Sequence, residues 1–151
     1  MGDFRDIVFH DEISMEGFQL VPGQYFSKQI EPTLTIWYSS VAFNGRCFTA
    51  LHDCSSIHLM VNTRDKKVIV TPCPSKDKDA IMWAKPAKKQ TYRKMDCTKF
   101  ARLLFEAWKL NKDYHYRATG RLVSAGERVL LLFDFSDPEA WHGQKLVSTI
   151  G

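Results

Sequence analysis

The apolar residues near the start of the chain fall in short runs that predict a strand followed by a short helix. Residues 34–43 (LTIWYSSVAF) are rich in β-branched and aromatic side chains, as strands are. The serines at 39 and 40 indicate a break within that run. Asn44 is the expected N-cap of a helix over residues 45–52.

A hairpin is predicted next. Residues 57–61 and 68–71 are two apolar runs on either side of a polar turn, the usual pattern of two paired strands. Pro72 and Pro74 are expected to end the second strand, because proline has no N–H to donate to a neighbouring strand.

A second helix is predicted over residues 97–110, with Asp96 as its N-cap and a short strand at 81–84 before it. Its apolar side chains recur every three or four residues, which places them on one buried face. These side chains are Phe100, Leu103, Leu104, Ala107 and Trp108.

The last third predicts another hairpin and a helical turn. Residues 114–119 and 128–135 read as strands around a turn near 124–127. Residues 136–141 have the residues of a capped helical turn, with Pro138 at its first position.

The order strand, helix, hairpin therefore occurs twice. We expect an α+β fold made of tandem β-α-β-β units, with the helices packed on an antiparallel sheet. The 151 residues fit one domain, and residues 34–74 and 80–135 are its candidate pseudo-repeat halves.

Composition adds a mild charge preference. The chain is 44% hydrophobic and 13% aromatic, enough for a packed core, and its net charge of +4 favours acidic partners. Its N-terminal residues alternate charged and apolar side chains, so we expect no signal peptide, no membrane anchor and a cytoplasmic location.

The most basic stretch is residues 85–94 (KPAKKQTYRK), which carries five positive charges. Such a stretch either binds an anionic partner or forms a solvated connector, and Pro86 inside it favours the connector. Three arginines around the last hairpin form a second basic group. The residues predicted to contact nucleic acid or an acidic protein surface are Lys85, Lys88, Lys89, Tyr92, Arg93, Lys94, Arg117, Arg121 and Arg128.

Several aromatic side chains could stack against nucleic-acid bases, although core packing is the default expectation for most of them. The candidates are Trp37, Tyr38, Phe43, Tyr114 and Tyr116. Alternation along the strands separates Trp37 from Tyr38, and sets Tyr114 and Tyr116 on the face opposite His115 and Arg117.

Candidate catalytic and metal-binding groups each have a simpler structural reading. The cysteines lack a Cys-x-x-Cys pair, so the cluster of His52, Cys47, Cys54 and Cys73 is expected to be packed thiols and a helix-end histidine. Without secretion, disulfides are not expected.

Two further groups invite a catalytic reading. Cys97 near a helix start could be a nucleophile with His115 as base, but the favoured interpretation is a small residue that fills the first helical turn. The acidic residues 134–139 match helix capping. The sequence thus predicts a protein that is not an enzyme, with no catalytic residue, metal or cofactor.

Four segments carry a resemblance to a known family: DFRDIVF, the stretch SSVAFNGRCFTALHDCSSIHLMVNTRDKKVIVTPCPSKDKDAIMW, KMDCTKFARLLFEAWKLNKDYHYRATG, and ERVLLLFDFSDPE. Over most of its length the chain resembles small uncharacterised proteins from mobile elements of gut Firmicutes, some of them labelled integrase-like. A tyrosine recombinase would need a His-x-x-Arg segment, and none of the five histidines has arginine three residues later. The helix–hairpin unit is also similar to DNA-binding swapped-hairpin regulators.

Two functions follow from these observations. The first is a non-catalytic nucleic-acid-associated binding protein, a regulator encoded by a mobile element. The alternative is a mobile-element or phage protein that binds and inhibits a host defence complex of the CRISPR type.

Overall fold

The computed structural model describes residues 12–21, 31–84 and 92–148. In these residues the chain forms two helices, α1 (Gly45–Ala50) and α2 (Thr98–Ala107). It also forms ten strands: β1 (Thr33–Ile36), β2 (Ser40–Asn44), β3 (Ser56–Asn62), β4 (Lys67–Pro72), β5 (Ile81–Met82), β6 (Tyr92–Asp96), β7 (His115–Ala125), β8 (Arg128–Asp134), β9 (Glu139–His142) and β10 (Lys145–Ser148).

The fold class expected from the sequence is wrong. Strands take up 45% of the described residues and helices 13%, and the chain forms a curled half-barrel of antiparallel strands rather than an α+β fold with helices packed on a sheet. The physical reason is that α1 and α2, at six and ten residues, are too short to cover so large a sheet. The sheet instead curls around its own apolar face.

The strands lie in the order β5-β3-β4-β8-β7-β1-β2-β6, with β9 beside β7 and β10 beside β9. The eleven-residue strand β7 joins two arms of the sheet, one made of β8, β4, β3 and β5 and the other of β1, β2, β6, β9 and β10. Its first part pairs with β1 and β9 and its second part with β8. Gly120 lies where these parts meet. A Cβ there would be 2.6 Å from Cε1 of Phe133, so glycine leaves the space that this ring occupies.

The inner face of the curl holds the core. Trp83, which follows β5, is fully buried and contacts Phe43 of β2 and Phe48 of α1 at ring-centroid distances of 5.1 and 4.5 Å. Its Nε1 donates to the Cys54 carbonyl oxygen at 2.7 Å. Trp83 therefore links the edge of one arm to the other arm and to α1 without leaving a polar group unpaired.

Both predicted hairpins and both predicted helices are confirmed in position, with differences at the caps. β3 pairs with β4, and β7 with β8, as expected. Asn44 precedes α1, but its side chain accepts from the Thr33 N–H at 3.0 Å instead of capping the helix. The N-cap of α2 is Cys97, since Asp96 is the last residue of β6 and pairs with Ser40.

Two other predictions fail. Residues 139–142 form strand β9 against β7 rather than part of a helical turn. The end of the basic stretch, predicted as a connector, is strand β6 from Tyr92, paired with β2; residues 85–91 lie outside the described part of the chain. Neither helix of the described residues has the length or apolar character needed to cross a membrane.

Candidate nucleic-acid interface

A row of paired residues crosses five neighbouring strands on the face of the sheet opposite the core, here called the outer face. Lys94 of β6 pairs with Ala42 of β2, and Ala42 pairs with Thr35 of β1. Thr35 pairs in turn with Arg117 of β7, which pairs with Glu139 of β9. Because paired residues point to the same side of a sheet, their side chains share one face, opposite the core.

Three aromatic rings form a second row beside the first. The Trp37 and His115 ring centroids are 5.2 Å apart with an interplanar angle of 27°. Those of His115 and Trp141 are 6.3 Å apart, and the planes differ by only 8°. Trp37 follows β1, and its N–H donates to the Ser40 carbonyl oxygen at 2.8 Å, which fixes its backbone. The result is a half-buried row of nearly parallel rings, here called the aromatic row.

Cations flank this row at both ends. Nζ of Lys94 lies 4.4 Å from the centre of the Trp37 ring, and the guanidinium carbon of Arg117 lies 5.3 Å from that of Trp141. Both distances are within the range of cation–π attraction. Lys94 can reach across β2 because Ala42, between them, has only a methyl group.

Arg117 is also held by a carboxylate. Its Nε and Nη2 each lie 2.6 Å from Oε2 of Glu139, and Trp141 Nε1 is 3.5 Å from the same oxygen. Glu139 therefore orients Arg117 and offsets its charge, so that the three charged groups of the two rows leave a net single positive charge.

The His115 ring is set up to be neutral. Burial, and then the positive charges of Arg117 and Lys94, lower the pKa of His115 below its usual range. Near neutral pH the ring therefore adds a flat surface to the row without adding charge.

An open cleft of about 310 Å³ lies over these residues. One wall comes from the β9–β10 turn, where Gly143 has a φ of +61° and occupies the first position of a two-residue turn. The residues that line the cleft are Thr35, Trp37, His115, Arg117, Trp141, Gly143 and Gln144. The cleft is therefore lined by aromatic rings and by hydrogen-bonding groups.

The predicted basic residues separate into groups. Lys94 and Arg117 both lie in the first row. Arg121 and Arg128 are exposed. Strand alternation places them on the outer face as well, but they lie farther along β7 and β8 than Arg117 does. Arg93 points the opposite way, because it pairs with the buried Phe43.

Other predicted residues contribute less. Nε of Arg93 is buried with no hydrogen-bond partner among the described residues. Lys85, Lys88 and Lys89 lie outside the described residues, as does the side chain of Tyr92.

Of the predicted stacking aromatics, only Trp37 belongs to the aromatic row. Phe43 and Tyr116 are buried, as core packing required, and Tyr114 packs against the core. Tyr38 contacts Phe105 edge-on, with Arg102 over its ring.

Sequence reasoning missed Trp141 and the stacking role of His115. Two signals could have found them: the alternation in Glu-Ala-Trp-His, and the Gly-Gln pair at 143–144, which is typical of a hairpin turn.

The candidate catalytic groups are not assembled. Cys97 lines an apolar groove of about 450 Å³ between the arms, whereas His115 lies on the outer face. Burial raises the pKa of the Cys97 thiol, which disfavours a nucleophile. Asp134 accepts hydrogen bonds from N–H and Oγ of Ser136, and these lower the pKa of its carboxyl.

The cysteine cluster predicted as packed thiols is also divided. Cys47 is fully buried, donates to the Thr33 carbonyl oxygen at 3.3 Å, and has its pKa raised by burial to about 12. Cys73 instead lies beside His58 and Asp77.

The comparisons do not assign the chain to a known group. No family model matches it, and neither a curated protein nor a solved structure is significantly similar.

Proposed function

We propose that the protein is a non-catalytic nucleic-acid-binding protein that holds a single strand on the outer face of its sheet. The observation that carries this proposal is the aromatic row of Trp37, His115 and Trp141, with Lys94 and Arg117 over its outer rings. A role as a regulator encoded by a mobile element is part of this proposal and rests only on the resemblance of the sequence.

Single-stranded ligands suit this surface better than duplexes. Unpaired bases have free π-faces, and each base stacked on an aromatic side chain contributes about 1–3 kcal/mol. A duplex keeps its bases stacked on one another and would meet the surface only through phosphates. With a net single positive charge between the rows, phosphate contacts alone would bind weakly.

The test is fluorescence anisotropy of a labelled single-stranded oligonucleotide, and of its duplex, at ~50 mM salt. We expect the single strand to bind more tightly than the duplex. Replacing both Trp37 and Trp141 with Ala should weaken single-strand binding at least tenfold, which corresponds to about one lost stacking contact.

Tyr38→Ala is the matched control, because Tyr38 is a partly exposed aromatic with a cation over its ring but lies outside the row. It should leave the affinity unchanged. Equal loss in this variant, or no binding by the wild type, would refute the proposal.

Binding and inhibition of a host defence protein complex is the second candidate. The outer face of the arm that contains β3, β4 and β8 favours this candidate, because a row of apolar residues there lies beside Arg121. In this row Met60 pairs with Ile69, Ile69 with Leu132, and Leu132 with Arg121. Met60 is 38% exposed, so the row is accessible to a partner.

A pull-down from host lysate separates the two candidates. A partner that survives nuclease treatment, is lost in Met60→Asp and is retained by the Trp37/Trp141 double variant supports inhibition. Loss of all partners with nuclease supports nucleic-acid binding.

A further inference from the structure

Three side chains with different metal-binding atoms meet beside strand β3, away from the aromatic row. One ligand atom each from His58, Cys73 and Asp77 lies within 4.8 Å of the other two. Nε2 of His58 is 3.5 Å from Oδ2 of Asp77. All three residues are partly exposed, so an ion could reach them from solvent.

The backbone around this cluster is fixed by hydrogen bonds. His58 lies on β3 opposite Thr71, and Cys73 follows β4 directly, with its N–H donating to the Ser56 carbonyl oxygen at 3.1 Å. Asp77 closes a turn by donating its N–H to the Pro74 carbonyl oxygen at 3.1 Å. The backbone positions of His58, Cys73 and Asp77 are therefore fixed, so the cluster does not arise from flexible surface side chains that meet by chance.

The loop that carries Asp77 has further anchors. Oγ of Ser56 and Oγ of Ser75 are 2.7 Å apart, and the Ala80 N–H donates to the Asp77 carbonyl oxygen at 3.2 Å. The His58–Asp77 separation also suits a metal. Two ligand atoms at about 2.0–2.2 Å from a tetrahedral zinc ion lie about 3.3–3.6 Å apart.

We propose that His58, Cys73 and Asp77 form a Zn²⁺ site, with the fourth position open to water or an external ligand. Imidazole and thiolate ligands favour zinc over Mg²⁺ or Ca²⁺, which prefer oxygen ligands alone. An ionised thiol and a carboxylate bring two negative charges, which the divalent ion balances. Cys54 lies outside the group, so it is not assigned as a ligand.

Zinc at this site would join three pieces of chain: strand β3, the end of β4, and the loop that leads to β5 and Trp83. Because Trp83 links the arms of the half-barrel, the ion would stabilise the arm that carries the edge strand. Binding only to the folded chain should raise the thermal midpoint as the zinc concentration rises.

The test is a Co²⁺ titration of the untagged chain under reducing conditions, followed by absorbance and then by Zn²⁺ displacement. We expect one ion per chain, a thiolate-to-cobalt charge-transfer band and the strong visible bands of a four-coordinate site. Cys73→Ser should remove the charge-transfer band. His58→Ala and Asp77→Asn should each weaken binding about tenfold or more.

Cys97→Ser is the matched control, because Cys97 is also a partly exposed free cysteine but lies in the groove between the arms. It should keep the full spectrum and affinity. Circular dichroism of each variant checks folding, and Asp77→Asn tests the site with little change in volume. Absence of the spectrum in the wild type, or equal loss in Cys97→Ser and Cys73→Ser, would overturn the proposal.

Discussion

The inner and outer faces of the sheet both carry aromatic clusters, but the rings around Phe43 are arranged differently from those of the aromatic row. On the inner face, Phe43 meets Trp83 and Phe133 with interplanar angles of 76° and 61°. On the outer face, Trp37, His115 and Trp141 are nearly parallel, with angles of 27° and 8°.

The polar groups of the two clusters also have different hydrogen-bond partners. Trp83 Nε1 donates to a backbone carbonyl at 2.7 Å, whereas Trp141 Nε1 lies 3.5 Å from a carboxylate that also holds Arg117. The polar group of the inner cluster therefore has its hydrogen-bond partner within the fold. The outer rings are half-buried and flanked by cations, which is an arrangement suited to a flat anionic partner.

The largest expected effect is on the inner face. Trp83→Ala should lower the free energy of unfolding by about 3–5 kcal/mol, because it removes a fully buried ring and leaves a cavity between the arms. Urea denaturation followed by circular dichroism measures the loss.

Trp37→Ala is the comparison for this variant. Its ring is half-buried on the outer face, so it should cost less than about half as much stability. If both variants lose the same free energy, the distinction between the faces fails.

Gly120→Ala should have the next largest effect. The added methyl would displace the Phe133 ring, at a cost of about 1–3 kcal/mol of unfolding free energy. A double-mutant cycle with Phe133→Leu isolates the cause, because the smaller side chain should recover part of the loss. Strict additivity would show that the clash with this ring is not responsible.

Breaking the Arg117–Glu139 pair tests whether the charge of Arg117 contributes to single-strand binding on the outer face. Glu139→Gln frees a positive charge beside the aromatic row, so the single-strand affinity should rise. The slope of log K against log salt should steepen by about 0.7 for one more phosphate contact. Anisotropy titrations at several salt concentrations measure both. An unchanged slope would mean that Arg117 does not meet the phosphate backbone.

The smallest expected effect concerns pH. Since the pKa of His115 is lower in the folded protein than in the unfolded chain, the unfolded chain binds the proton more readily. Stability is therefore complete above the ordinary pKa of about 6.5 and declines as pH falls towards the folded value.

Unfolding titrations between neutral and mildly acidic pH should show this decline in the wild type. They should show less of it in His115→Gln, which keeps a polar group without titrating. An equal decline in both proteins would assign the pH dependence to other groups.

Elements with local signals were predictable from the sequence. The hairpin β7–β8 was found because Gly126 marks its turn, and α2 because Leu104 and Trp108 recur on one face. The tail was mistaken for a helical turn because Pro138 and Glu139 also suit a helix start. Its pairing with β7 is non-local, so no short-range pattern reveals it.

The site was only partly predictable for the same reason. Arg117 and Lys94 stood out as charges, and Trp37 as an aromatic. Their alignment with Trp141 depends on the register of five strands, which is set by the sheet as a whole. In the sequence, the charged residues of β6 resemble a solvated loop, because an edge strand tolerates charged side chains.

Photocross-linking can identify the surface that holds a single-stranded nucleic acid. A single-stranded oligonucleotide with 5-bromouracil is bound, irradiated and mapped to the protein by mass spectrometry. We expect cross-links at Trp37, His115 and Trp141. Cross-links confined to the arm with Arg121 and Arg128, or to the groove lined by Met95 and Phe100, would contradict the proposal.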